Sequence, residues 1–64
     1  MTQKELLYVE DAIGHEQNVK SIICESLKLL EDNSLVTFLN KEYKKHDSME
    51  KRLVKLLEEN SNEW

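Results

Sequence analysis

Apolar residues recur in steps of three and four through almost the whole chain, and the pattern breaks only once. From Leu6 the series runs Leu6, Val9, Ile13, Glu16, Lys20, Ile23, Leu27, Leu30. That is the seam of an amphipathic helix packed at a shallow angle on a neighbour. A second row, Ala12, Val19, Ile22, Ser26 and Leu29, widens the apolar face beyond a simple seam. Glu31-Asp-Asn-Ser34 then gathers turn and cap formers, and the stepping resumes as Leu35, Leu39, Glu42, His46, Met49, Leu53, Leu56, flanked by Val36, Tyr43 and Leu57. Proline is absent and Gly14 is the only glycine, so this single break carries most of the topological information.

The pattern predicts two helices, roughly 3–31 and 34–59, in one domain spanning 1–64. Thr2-Gln-Lys-Glu5 has the spacing of a capping box, in which the threonine hydroxyl accepts from the Glu5 backbone and the Glu5 carboxylate reaches back. Asp32, Asn33 or Ser34 could each cap the second helix. A link of two to four residues forces the helices to lie antiparallel. The fold class expected is therefore all-α, a two-helix antiparallel hairpin. Asn60-Ser-Asn-Glu ends the periodicity, and Trp64 reads as a frayed terminus, with docking on a partner as the alternative.

A chain of 64 residues is marginal without a staple. Cys24 is the only cysteine, which excludes an intrachain disulfide and, with His15 and His46 as the only histidines, a Cys₂His₂ or Cys₄ zinc site. Oligomerisation remains, and the second apolar rows ask for it: two hairpins pairing as a four-helix bundle would bury both rows. A homodimer is expected, with a tetramer open because nothing in the seam caps assembly at two.

Charge excludes further classes. Thirteen acids against nine lysines and arginines give a net −4. Lys41, Lys44, Lys45, Lys51, Arg52 and Lys55 are interleaved with Glu42, Asp47, Glu50, Glu58 and Glu59. That is a solvated helix face rather than the basic stripe that nucleic-acid binding requires. No run approaches the roughly 20 apolar residues of a membrane span, and the first residues show no secretory h-region. One unpaired cysteine fits a reducing cytosol. Cys24 itself reads as a small buried hydrophobe without an activating cation.

The candidate site is the polar interruption of both seams: Glu16 and Lys20 in the first helix, Glu42 and His46 in the second. Pairing about a turn near residue 33 sets residue 19 or 20 opposite residue 46, and residue 23 near residue 42. In a homodimer these groups would form one mid-bundle layer. Helical bundles that hold two metals place glutamates and Glu-x-x-His there. A girdle of hydrogen bonds and ion pairs that fixes register is the favoured reading, with no metal or other cofactor. Tyr43 reads as a core or interface aromatic, and Asp11 with His15 as a surface pair. No nucleophile–base pair or phosphate-binding loop is present, so the chain is not expected to be an enzyme.

Thr2-Gln-Lys-Glu-Leu6 followed by Tyr8-Val-Glu-Asp11 resembles the opening of short clostridial spore-coat-like proteins related to coat protein F, within the broad ferritin-like group. Ala12-Ile-Gly-His-Glu16 resembles the first metal-helix segment of rubrerythrin-like proteins, and Leu39 to His46, continuing through Asp47-Ser-Met-Glu-Lys-Arg-Leu-Val-Lys-Leu-Leu57, the second. The resemblance implies a ferritin-like four-helix bundle, spore association as an alternative to a cytoplasmic location, and other coat-like proteins as partners. Carried over, Glu16 matches the family's first-helix metal glutamate and His46 the histidine of Glu-x-x-His. Tyr43 stands where the motif's glutamate belongs, and Glu42 is one position off. A degenerate metal-binding dimer using Glu16 and His46 is thus the alternative to a structural, interaction role.

Overall fold

The structure, a computed structural model, describes residues 1–60. It is a helical hairpin of α1 (Gln3–Leu29) and α2 (Asn33–Asn60), 48 × 14 × 11 Å. Trp64 and the end of the chain lie outside the described residues.

Each helix begins where its side chains can satisfy free backbone N–H groups. At α1 the predicted capping box is complete: Glu5 N donates to Thr2 Oγ1 at 3.1 Å and Thr2 N to Glu5 Oε1 at 2.8 Å. The Thr2 backbone N–H first, and the Thr2 side chain second, hold the Glu5 carboxyl below its ordinary range. At α2 Asp32 is the cap, its Oδ1 accepting from Ser34 N at 2.8 Å and Leu35 N at 3.0 Å. Helix α1 stops two residues earlier than expected. Leu30 turns into extended backbone (φ −88°, ψ 137°) while its N–H still reaches Ser26 O at 3.2 Å. Among the described residues no positive φ occurs, so the turn needs no glycine.

The inward row of α1 is the predicted one, from Leu6 through Leu30, all buried or half-buried. In α2 Leu39, His46 and Leu53 keep their expected places, while the other members of the inward row stand one position further on. Val36, Leu39, Tyr43, His46, Glu50, Leu53 and Leu57 face α1, whereas Leu35, Met49 and Leu56, expected inside, are 49, 47 and 42% exposed. The apolar arc of α2 is wider than the strip one neighbour can cover, so polar contacts choose which part turns inward. Rotation brings Asp47 and Glu50 onto Lys20.

The hairpin by itself has little core. Ile23 is the only buried hydrophobic residue and Glu16 the only buried polar one among the described residues, each 6% exposed.

Candidate functional site

The turn centred on Leu30–Asp32, rather than residue 33, moves the register. It sets Glu16 against His46, where residue 19 or 20 was expected. Glu16 Oε2 and His46 Nδ1 lie 2.5 Å apart, with the carboxylate 8% and the imidazole 25% exposed. An ionised carboxylate can only accept, so with Glu16 ionised it is His46 Nδ1 that carries the proton. A nearly buried acid thus finds its partner across the helix pair, which burial of a charge requires.

Lys20, one turn further along, serves a separate cluster. Its Nζ donates to Asp47 Oδ1 at 2.9 Å and lies 2.8 Å from Glu50 Oε1. The Glu50 contact is a close ion pair, so the charge of this buried oxygen is compensated by the ammonium. The ammonium also sits 5.7 Å from the centre of the Tyr43 ring, within reach of the ring's negative face. Glu50 first and Asp47 second hold the Lys20 ammonium above its ordinary range. Lys20, and then Lys51 at 3.0 Å, hold the Asp47 carboxyl below its own.

The expected layer of Glu16, Lys20, Glu42 and His46 is therefore two clusters. Glu42 belongs to neither: half-buried, it pairs with Lys45 of its own helix at 3.3 Å. Asp47 and Glu50 were missed as members. Their signal was spacing, since Tyr43, Asp47 and Glu50 follow at four and three residues along the side of α2 that Lys20 can reach. Asp11 and His15 are both exposed, and no hydrogen bond or ion pair joins them among the described residues. Cys24 is exposed rather than buried, because the seam passes through Ile23 beside it. Among the described residues no three histidine, cysteine or acidic side chains lie together as a metal site, and no helix is long and apolar enough to cross a membrane.

The other conspicuous feature is an uncovered apolar face. Tyr8, Ile22 and Leu29 (61, 64 and 83% exposed) fall on one seven-residue repeat in α1, and Leu35, Met49 and Leu56 on another in α2. Residues seven apart share one side of a helix to within about 20° per repeat. Tyr8 and Leu56 both line an open-sided cleft of about 480 Å³ at the end remote from the turn, so the two rows lie on the same face of the hairpin. Phe38, 57% exposed, stands one turn from Leu35 on that face. Of the exposed large apolar side chains, only Leu7 falls elsewhere. Lys20, Asp47 and Lys51 mark the opposite, polar face.

Comparison with family models, curated proteins and solved structures gave no match.

Proposed function

We propose that the chain is a structural, interaction protein that pairs with a second copy of itself to complete a four-helix bundle. One observation carries the reading: among the described residues seven large apolar side chains stand exposed on one face, while contact between the two helices buries only Ile23 among hydrophobic ones. An apolar face of that size marks an interaction surface. Covering a few hundred Å² of it per chain is worth several kcal/mol at about 25 cal/mol per Å², comparable with the whole stability of a small domain. The Glu16–His46 pair and the Lys20 cluster then act as the register-setting girdle, not as a reactive centre. Among the described residues no serine, threonine or cysteine side chain shares a hydrogen bond with His46, whose partner is Glu16.

The similarity of Thr2–Asp11 to coat-protein openings supports a role in a spore coat, with other coat-like proteins as further partners. Light scattering at tens of micromolar should give about twice the chain mass. A monomer that melts cooperatively overturns the proposal.

The direct meeting of Glu16 and His46 supports a second reading, a degenerate ferritin-like dimer in which the pair, doubled by symmetry, holds a divalent ion. Purified protein would then contain metal at one half or one per chain. Added zinc or iron would also raise its Tm in a manner lost with His46→Ala.

A further inference from the structure

The two ends of the apolar face differ in shape. At the turn end Leu29 protrudes with 83% of its surface exposed, beside Leu35 and Phe38. At the other end the face is hollow, the cleft between Tyr8 and Leu56 being floored by Val9. The same number of residues, three heptads, separates Tyr8 from Leu29 in α1 and Leu35 from Leu56 in α2. The midpoints of these spans fall beside Asn18 and Val19 in one helix and beside Lys45 and His46 in the other. With Glu16 set against His46, these positions stand within about two residues, roughly 3 Å, of the same level. A twofold axis through that level, perpendicular to the helices, brings Leu29 and Leu35 of each copy over the Tyr8 and Leu56 walls of the other's hollow.

We infer that two copies pack apolar face on apolar face with their hairpins antiparallel, Leu29 and Leu35 of each seated in the Tyr8–Leu56 cleft of the other. The inference rests on the homodimer reading and adds its orientation. The same axis settles the remaining members of each row. His15 comes opposite Ile22 of the second copy, and Glu42 opposite Met49, so no polar member of a row meets a polar one. Helix α1 lies along α1 and α2 along α2, an isologous contact that closes at two copies. The parallel alternative, with a twofold along the hairpin, sets the two protruding Leu29 side chains at the same end and hollow against hollow at the other.

A spin label attached at Glu31→Cys, in the turn and outside the contact, separates the arrangements once the exposed Cys24 is replaced by serine. Antiparallel hairpins put the two labels at opposite ends of the bundle, roughly 40 Å apart at 1.5 Å per residue. Parallel hairpins put them side by side, at less than roughly 25 Å given helix diameters of about 10 Å. The long distance, with a dimeric mass, is the result expected. A short distance with a dimeric mass overturns the orientation and leaves the homodimer standing; a monomeric mass without dipolar coupling overturns both. Disulfide formation gives an independent measure. Leu35→Cys mixed with Leu56→Cys should cross-link, and Leu29→Cys mixed with Leu35→Cys should not; the reverse preference overturns the orientation.

Discussion

Neighbouring isoleucines give the sharpest test of how this hairpin is held together. Ile23 is 6% exposed against α2, and Ile22, beside it, is 64% exposed. Truncating Ile23 to alanine removes buried methylenes from a core with no other buried hydrophobe among the described residues. Such a change costs about 2–5 kcal/mol, and the low end applies because a thin two-helix seam can collapse around the loss. For a hairpin standing alone, Ile22→Ala should fall within the roughly 0.5 kcal/mol typical of surface changes. If Ile22 is covered by a second copy, the substitution should cost about 1–2 kcal/mol per chain, most of the value of burying such a side chain. Urea unfolding followed by far-ultraviolet circular dichroism, at two protein concentrations tenfold apart, reads both quantities. The transitions of the parent and of Ile22→Ala should move to higher urea with concentration, and Ile22→Ala should lie clearly below the parent. A neutral Ile22→Ala with concentration-independent midpoints would refute the reasoning.

The caps should be nearly equal in worth: Thr2→Ala and Asp32→Ala should each cost about 1 kcal/mol in the same unfolding assay, whereas Gln3→Ala should be close to neutral. A Cβ at Gly14 meets nothing within 4 Å, so Gly14→Ala should stabilise by about 0.5–1 kcal/mol, and a loss would place an unseen backbone against it. Lys20→Met should lower Tm because Glu50 and Asp47 lose their shared cation; adding Glu50→Gln should recover part of the loss, while adding Glu16→Gln should not, since Glu16 belongs to His46. The lowered carboxyls of Asp47 and Glu5 contribute stability that is present above their unfolded values. That stability is lost as pH falls below about 4 and through the lower folded values. Melting scans between neutral pH and acid should therefore show Tm falling in that window, less steeply for Asp47→Asn.

The inner face of α1 could be read from the sequence because its apolar residues occupy a strip one neighbour can cover, from Leu6 to Leu30. The capping box at Thr2 was equally legible, since it is a local interaction at fixed spacing. Helix α2 was legible only at Leu39, His46 and Leu53, because Leu35, Val36, Met49, Leu56 and Leu57 form an arc wide enough to turn either edge inward. Which edge wins depends on Lys20 meeting Asp47 and Glu50 across the hairpin, a long-range contact that periodicity cannot express. The candidate site inherited that ambiguity. A shift of the turn by about two residues exchanged the partner of His46 from Lys20 to Glu16, and Glu42 dropped out to pair with Lys45.

The link between the helices has a consequence for the chain's alternative shapes. Leu30, Glu31 and Asp32 interrupt the helix with an extended residue and a side-chain cap, without a proline that removes a backbone donor or a glycine held at positive φ. Nothing in these three residues is sterically barred from continuing α1 into α2. Locally the break is therefore a preference worth about the strength of one cap, to which the contacts across the hairpin add, and the extended state is a single straight helix roughly 85 Å long. Two such rods lying antiparallel would meet along the same strip of side chains that now faces inward within one chain. Extension of the link would thus let two chains exchange helices while keeping the same inner contacts.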